Sequence, residues 1–361
     1  MNILQATREY ERWSAQQVPF VPADLRLKHA MMTQSAFSFL RATCYRWMQV
    51  WPEVCADLTT APVLRAVADL HVENFGTWRD SEGRLIWGIN DFDEACVFPY
   101  ASDLVRLVVS ARLAGRDEHL AVKLDEACDA VLTGYLDSLR ADGRPFVLSE
   151  QHAWLRRIAT NSLRDPVKFW NKMAALPMVK DTVPQEVTAA LEKVMPEAGL
   201  SYGLRRRVSG LGSLGRPRVV ALAEWRGGKI AREAKRLIAS AGLWAQGQKP
   251  NGTLLYQSML EQSVRCRDPF VGMEGSWLLR RLSPYCSRIE VTALPRKRDE
   301  GKLLYAMGWE TANVHLGDRA QIKAVRRDLA TRKSAWLRKA AKAMMKATVA
   351  DWKGWAGQHA E

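Results

Sequence analysis

The sequence changes character near residue 200, and this change constrains the fold more than any other feature. Before it, apolar residues recur mostly at three- and four-residue spacing, which is typical of amphipathic helices. After it come VSGLGSLGRPRVVAL (208–222), a turn signal at Gly227–Gly228 and KIAREAKRL (229–237). This pattern predicts a β-hairpin that leads into a third strand. Helical spacing then returns over 302–316 and 319–350.

The pattern predicts an α+β fold in which a β-rich part lies between two helical parts. Two short strands are also expected inside the first helical part, at Val63–Ala68 and Arg84–Ile89. The expected parts are a helical lobe at 1–198, a β-rich lobe at 199–295 and C-terminal helices at 296–361 that return to the helical lobe.

Charge is divided unequally along the chain. The 361 residues include 53 basic and 39 acidic side chains, for a formal net charge of +14. Residues 1–200 hold 22 basic and 26 acidic side chains, whereas residues 201–361 hold 31 and 13. The positive excess therefore belongs to the second part. It indicates an anionic partner such as a nucleic acid, an acidic lipid surface or a phosphorylated small molecule.

The sequence argues against a membrane-spanning protein, a secreted protein and a zinc-binding protein. No run approaches 18 apolar residues, so no membrane-spanning helix is expected. The N-terminal stretch MNILQATREYERW has acidic residues where a signal peptide has its apolar core, so we expect a cytoplasmic protein. The six cysteines form no C-x-x-C pair and the six histidines no closely spaced pair, so a zinc site is not expected.

The motif DLHVENFG (69–76) places Asn74 five residues after Asp69. In phosphoryl transfer, an Asp that accepts the proton of a substrate hydroxyl and an Asn that binds a metal ion fit one tight loop at this spacing. Asp69 is therefore a candidate base and Asn74 a candidate metal ligand. The alternative is that Asn74 only caps a turn.

The motif INDFDEA (89–95) follows the second predicted strand. A carboxylate at the end of a strand, next to an Asn, completes an all-oxygen Mg²⁺ site. Asp91 and Asp93 project to the same side if the strand continues, so both are candidate metal ligands. Asp103 opens the next predicted helix, where an N-cap is its simplest role.

A G-x-G-x-x-G motif occupies Gly210–Gly215, which we call the glycine-rich segment. Strand-like sequence follows it, whereas a dinucleotide-binding turn leads into a helix, so a hairpin that covers phosphates is favoured. A cation for the phosphates is expected on the next strand, either Arg232 or its neighbours Lys229 and Lys235. The expected nucleotide contacts are Gly210, Gly212, Ser213, Gly215, Arg232 and Lys235.

Taken together, these motifs resemble the catalytic and metal loops of aminoglycoside- and choline-type kinases. The longer pattern resembles an uncharacterised bacterial family, a domain of unknown function with kinase-like motifs. The segments that carry this resemblance are AFSFLRA (36–42), DLHVENFG (69–76), INDFDEACVFPYASDLVRL (89–107), GLGSLG (210–215), DPFVG (268–272), WLLRRL (277–282) and ANVHLGD (312–318).

The resemblance implies a bilobal protein-kinase-like fold with ATP and Mg²⁺ as cofactors. The order is circularly permuted, because the Asp69 and Asp91 motifs precede the glycine-rich segment. Two positions depart from the family pattern. Arg232 stands where the family has lysine, and Ala68 stands where it usually has glycine. Arg and Lys are not equivalent at a phosphate-orienting position.

The resemblance also suggests three further roles. Glu261 is a candidate αC-type partner for the phosphate-binding cation, or else an exposed helix charge. Arg281–Tyr285 is the expected hinge against which adenine packs. Arg41 faces the substrate or a phosphate, or forms a structural ion pair with Asp103 or Glu94.

Much of the excess charge lies in residues 319–346, where apolar residues recur at helical spacing and ten Lys and Arg residues fill much of the rest. This predicts one long amphipathic helix docked on the helical lobe, with a solvated basic face. Nucleic-acid binding through this segment is an alternative that is not favoured.

The sequence thus predicts an ATP- and Mg²⁺-dependent, kinase-like phosphotransferase that acts on a hydroxyl-bearing acceptor, expected to be a small molecule. Asp69 acts as the base, and Asn74, Asp91 and Asp93 hold the metal. The alternative is a catalytically degenerate pseudokinase, or a basic binding module with nucleotide or nucleic acid as its ligand.

Overall fold

A computed structural model describes residues 1–116, 122–161, 165–180, 182–284, 286 and 299–359. These residues form a mixed helix and sheet fold, which confirms the predicted α+β class. The helices are α1 (Ile3–Ala15), α2 (Pro22–Gln34), α3 (Ala36–Ala42), α4 (Cys44–Val54), α5 (Tyr100–Arg116), α6 (Leu124–Arg140), α7 (Ala153–Asn161), α8 (Pro166–Ala174), α9 (Gln185–Lys193), α10 (Ala241–Ala245), α11 (Tyr256–Gln262), α12 (Glu300–His315), α13 (Arg319–Thr331) and α14 (Trp336–Gln358). The strands are β1 (Val63–Ala66), β2 (Phe75–Arg79), β3 (Leu85–Ile89), β4 (Cys96–Pro99), β5 (Phe146–Val147), β6 (Gly203–Arg206), β7 (Arg218–Trp225), β8 (Gly228–Arg236), β9 (Gly272–Glu274) and β10 (Trp277–Leu282).

The strands form three antiparallel sheets within the described residues. The largest has the order β6-β7-β8-β10-β9, with α11 in the connection between β8 and β9. A three-stranded sheet pairs β2, β3 and β5, and a two-stranded sheet pairs β1 with β4. The two motifs with Asp69 and Asp91 follow β1 and β3, whereas the glycine-rich segment joins β6 to β7.

The predicted hairpin of β7 and β8 is confirmed, and its turn fixes the register of the large sheet. Arg226 and Gly227 form the two-residue turn with φ of +48° and +82°, the left-handed pair that a tight hairpin requires. This turn sets Arg218 opposite Lys235. Because alternate residues of a strand face the same side, the turn also decides which β8 side chains share a side of the sheet with Arg218.

The core centres on α5, α6 and α12, whose apolar side chains are buried in one large cluster. The helices α6 and α12 pack closely because glycine lies at their crossing. A β-carbon at Gly134 or Gly308 would collide with the backbone of the other helix, at Tyr305 and Val131 respectively. This packing positions α12 behind the two motif-bearing loops.

Two predicted elements differ from those observed. The segment 319–346 belongs to two helices, α13 and α14, separated at residues 332–335, so one long helix was wrong. The strand expected at Val63–Ala68 is shorter, because β1 ends at Ala66. Among the described residues, no helix combines the length and apolar character needed to cross a bilayer.

Candidate functional site

One cavity, of about 300 Å³, brings the predicted motifs together. Its lining comes from the loops after β1 and β3, from α2, α3 and α8, and from the inner face of the large sheet. The predicted site residues that line it are Asp69, Asn74, Asp91, Asp93, Gly210, Gly212, Ser213 and Lys235.

The loop with Asp69 is held by a buried carboxylate on α5. Asp103 accepts hydrogen bonds from the backbone N–H groups of Val67 (2.7 Å) and Ala68 (2.9 Å). Ala68 has φ of +67°, the left-handed conformation that favours glycine, immediately before Asp69. Asp103 is the fourth residue of α5, so the expected N-cap role was wrong. It anchors the Asp69 loop instead.

Helix α12 supports both loops from behind. His315 Nε2 donates to Asp103 Oδ2 (3.0 Å), and Glu310 Oε1 accepts from the backbone N–H of Ile89 (3.2 Å). Asn313 Nδ2 donates to Glu310 Oε2 (2.8 Å). The late segment that includes ANVHLGD therefore fixes the backbone that leads into the Asp69 and Asp91 motifs.

Asp69 is a suitable base because of its surroundings. Its carboxylate accepts a hydrogen bond from the guanidinium of Arg106, whose own side chain is fully buried. Burial raises the pKa of Asp69 to about 7, and Glu94 adds to that rise, whereas the charge of Arg106 opposes it. A carboxyl group with a pKa near neutral pH is a stronger base than an ordinary carboxylate and is still partly ionised at that pH, so it can accept a proton.

Asn74 lies in a short 3₁₀ turn and links the two loops. Its Oδ1 accepts from the backbone N–H of His71 (2.6 Å), and its carbonyl oxygen accepts from the N–H of Asn90 (3.0 Å). The turn-capping role is therefore real. A carbonyl oxygen has two lone pairs, so this bond leaves capacity for a metal ion.

Asp91 and Asp93 both line the cavity, but they have different partners and their pKa values are shifted in opposite directions. Asp91 Oδ1 accepts from the backbone N–H of Asp93 (3.2 Å), while the Asp93 carboxylate forms an ion pair with Lys235. Burial, followed by the charge of Asp93, raises the pKa of Asp91. Burial alone would also raise the pKa of Asp93, but the Lys235 ammonium outweighs it and holds that pKa below its usual range.

The oxygen atoms of Asn74, Asp91 and Asp93 suit Mg²⁺, which needs few protein ligands, better than a metal ion that the protein must coordinate completely. Among the described residues, no group of three or more His, Cys, Asp or Glu side chains is arranged to hold a metal ion. Asp93 Oδ1 is buried and has no hydrogen-bond partner in the part of the chain described. Mg²⁺ commonly takes one or two carboxylates and completes its shell with phosphates and water, which matches Asn74, Asp91 and this oxygen.

The glycine-rich segment lies against the helical part. Leu211 and Leu214 pack in an apolar cluster with residues of α2, α3 and α14, and Lys28 Nζ donates to the Gly212 carbonyl oxygen (3.2 Å). Gly215 is outside the set of described residues that line the cavity. Its φ is +94° and a β-carbon there would come 2.9 Å from the Phe20 ring, so its role is structural.

Two residues with expected roles in nucleotide binding, Arg232 and Glu261, lie elsewhere. Arg232 projects from the opposite side of β8 to Lys235, donates to the Val194 carbonyl oxygen (2.9 Å) and stacks over Phe270. Glu261 is exposed and accepts from Gln257 Nε2 (2.6 Å). Neither is among the described residues that line the cavity, whereas the alternative cation Lys235 is, and Glu261 is the exposed helix charge of the other alternative.

Three other expected roles have mixed outcomes. Arg41 lines the cavity and forms an ion pair with Glu73 (2.7 Å), which was not among its expected partners. Arg281 also lines the cavity and lies 3.4 Å from Asp268 Oδ1. Tyr285, the end of the expected hinge, lies outside the described residues.

The basic segment 319–346 is partly neutralised within the chain. Four of its ten cations form ion pairs with carboxylates of the described residues, and the exposed remainder leaves a basic surface on α13 and α14. The pairs are Arg326–Asp142, Arg332–Asp328, Arg338–Asp125 and Lys339–Asp57.

Five basic residues of the site were not predicted from the sequence. Lys28 and Arg106 are isolated in helical sequence and carried no signal. The other three project toward the buried Glu233. Counting alternate residues back from the turn at Gly227 could have shown that Arg218, on β7, shares a side with Lys235. These three are Arg207, Arg218 and Arg280.

No curated protein and no solved structure matches the chain. The model of one family, described as an uncharacterized protein conserved in bacteria (DUF2252), matches residues 20–198. This confirms the resemblance to an uncharacterised bacterial family, while the kinase-like resemblance stays a prediction. Over residues 20–198, the chain is thus similar to a family of uncharacterised proteins that is conserved in bacteria.

Proposed function

We propose that this chain is an ATP- and Mg²⁺-dependent phosphotransferase with a circularly permuted, kinase-like arrangement, acting on a hydroxyl group of a small molecule. The observation that carries this proposal is that Asp69, Asp91, Lys235 and the glycine-rich segment line one cavity. Phosphoryl transfer needs a hydroxyl-orienting base, a metal ligand, a phosphate-binding cation and a backbone that covers the phosphates. The cavity supplies one candidate for each.

The inner face of the large sheet supports one orientation of the nucleotide. At the end near the glycine-rich segment this face carries Arg218 and Lys235, which lie opposite each other. At the other end Val220, Ala231 and Leu282 form an apolar cluster. In the proposal, the triphosphate lies at the charged end and the base lies toward the apolar end.

In the proposed reaction, Asp69 accepts the proton of the acceptor hydroxyl as its oxygen attacks the terminal phosphorus. The new O–P bond forms while the bond to the bridging oxygen of the leaving ADP breaks. Arg106 holds the Asp69 carboxylate in place, and Lys235 neutralises the phosphates once it leaves Asp93. Most of the rate enhancement then comes from positioning and charge stabilisation.

Asp91 and Asn74, with Asp93 beside them, are the residues that would hold Mg²⁺ in this site. When bound, Mg²⁺ neutralises the charge that develops on the phosphoryl oxygens. The protein's own contribution is to keep these oxygens buried and fixed, through the Asn74 contact with Asn90 and the Glu310 contact with Ile89.

The proposal is tested by thermal unfolding with ATP or ADP, with and without Mg²⁺, followed by a screen for ATP consumption with hydroxyl-bearing acceptors. We expect nucleotides to raise Tm. Asp69→Asn should retain nucleotide binding and lower turnover by about 10²–10⁴-fold, because only the proton acceptor is lost. Asp57→Asn, on the exposed surface, is the matched control. Failure of every nucleotide to raise Tm at millimolar concentration would contradict the proposal.

The ion pair between Lys235 and Asp93 favours a second candidate, a pseudokinase that binds nucleotide without turnover. In this pair a phosphate-binding cation and a metal-binding carboxylate neutralise each other. Nucleotide binding without any ATP consumption above the level of Asp69→Asn would select this candidate.

A further inference from the structure

Three arginines converge on one buried glutamate at the inner face of the large sheet. Arg280 Nε donates to Glu233 Oε1 (2.7 Å), and Arg218 Nη1 lies 3.3 Å from the same oxygen. Arg207 forms an ion pair with Glu233 Oε2. Glu233 itself is fully buried, and the three arginine side chains are between 4% and 25% exposed. We call these four residues the arginine cluster.

The arginine cluster lies beside the glycine-rich segment, which in the proposal covers the phosphates. Arg207, Arg218 and Arg280 all line the cavity, and Arg218 projects from β7 opposite Lys235. Arg218 Nη2 donates to Ser213 Oγ (3.1 Å) and lies 3.2 Å from the position that a β-carbon at Gly210 would occupy. The cluster is thus directly beneath the glycine-rich segment.

The charges of the arginine cluster and the neighbouring Lys235–Asp93 ion pair do not balance. The three arginines and Lys235 carry four positive charges, whereas their paired carboxylates, Glu233 and Asp93, carry two negative ones. The charge of Asp91 also acts on Arg280, and with Asp91 counted as ionised these seven groups still carry an excess of one positive charge. An uncompensated charge in a buried site is costly, so the excess favours an anionic ligand.

We propose that the arginine cluster binds a chain of phosphates, and that it does so without a metal ion. Guanidinium groups present paired N–H donors that match phosphate oxygens, and several of them around one site suit a di- or triphosphate better than a single phosphate. Glu233 keeps the three side chains converged before the ligand arrives. A nucleoside triphosphate and inorganic polyphosphate share this chemistry. The first of these rests on the proposed function.

The test is calorimetric titration in EDTA with inorganic tripolyphosphate, ATP, ADP and AMP. We expect tripolyphosphate to bind wild-type protein, with AMP binding at least 10-fold more weakly than ATP. Arg280→Met should weaken tripolyphosphate binding at least 10-fold, and Arg280→Lys should weaken it less, because it keeps the charge but loses the paired donors. Arg236→Met is the matched control, since Arg236 lies on the same strand as Glu233 and faces the other side, toward Glu186.

Circular dichroism and Tm establish that each variant is folded. Arg207→Met is the replacement if Arg280→Met does not fold, because Arg207 is outside the strands. The proposal is overturned if tripolyphosphate does not bind in EDTA, or if the arginine variants bind it as wild type does. Binding of ATP at least 10-fold tighter than tripolyphosphate identifies a nucleotide as the ligand. Binding of tripolyphosphate with no ATP binding supports the cluster and contradicts the proposed function alone.

Discussion

Gly212 lies with its backbone directly against the carboxylate of Asp69. A β-carbon at Gly212 would come 3.3 Å from Asp69 Oδ2 and 3.1 Å from the carbonyl oxygen of Arg41. Both distances are shorter than ordinary van der Waals contact, so even one methyl group would force the neighbours to shift by a few tenths of an ångström. The glycine-rich segment and the Asp69 loop are therefore fitted to each other.

Gly212→Ala should lower ATP turnover by about 10-fold or more while changing the free energy of unfolding by less than about 1 kcal/mol, because displacement of a positioned group costs rate more than stability. Steady-state kinetics and urea unfolding measure the two effects. Gly203→Ala, in β6, is the control, since nothing lies within 4 Å of its added β-carbon. Equal turnover by the two variants would contradict the fitted arrangement.

Ala68→Gly should stabilise the fold. Ala68 has φ of +67°, and an L-residue in this conformation costs about 1–2 kcal/mol. Glycine removes that strain but adds about 0.4–1 kcal/mol of unfolded-state entropy, so the net gain is about 0.5–1 kcal/mol. Urea unfolding measures it. Ala66→Gly, which is equally buried but lies in the regular strand β1, should destabilise instead, and an equal change in stability for the two variants would refute the strain.

Glu310 should make stability fall as pH rises toward neutral. Burial raises its pKa from 4.5 to about 7, against the charge of Arg265, so the folded state binds this proton more tightly than the unfolded state does. The free energy of unfolding therefore decreases between about pH 4.5 and pH 7, by up to about 3 kcal/mol from this group.

The check compares urea unfolding at pH 5 and pH 8 for wild type and Glu310→Gln, which cannot ionise. We expect the variant to lose less stability than wild type over this interval. Glu82→Gln, on the exposed surface, should follow wild type. An unchanged pH dependence in Glu310→Gln would show that this carboxyl group does not titrate in the window.

Arg106→Met should move the acidic limb of the pH–rate profile to higher pH. The Arg106 charge opposes the effect of burial on the pKa of Asp69, so its removal raises that pKa further above 7. In the proposed reaction Asp69 must be ionised and activity is lost below its pKa, so kcat/KM at pH 7 should fall by about 10-fold or more. Arg106→Lys keeps the charge and should shift the limb less. A lowered rate with an unmoved limb would assign Arg106 a purely structural role.

The site could be predicted from sequence where the chain itself brings residues close. Asp69 and Asn74 share one loop, and Asp91 follows a strand that pairs with the strand after Asn74. The choice between Lys235 and Arg232 depended on which side of β8 faces the cavity. The two-residue turn sets Arg218 opposite Lys235, but only the packing of the sheet against the helices shows that this is the inner side.

The rest depended on contacts between distant parts of the chain. Arg106 looks like an ordinary helix residue, and its role follows only from the approach of α5 to the Asp69 loop. Gly215 fits the G-x-G-x-x-G spacing but serves a contact with Phe20, which the motif cannot reveal. Spacing alone does not report which glycine faces a ligand and which accommodates a neighbour.

The late position of helix α12 in the chain affects when the site can assemble during synthesis. Its Glu310 and His315 hold the backbone on which Asp91 and Asp69 depend, yet the helix begins only at Glu300. During synthesis both loops leave the ribosome long before the side chains that fix them. A fragment limited to residues 20–198 carries the acidic residues without these anchors, so it should not assemble the site by itself.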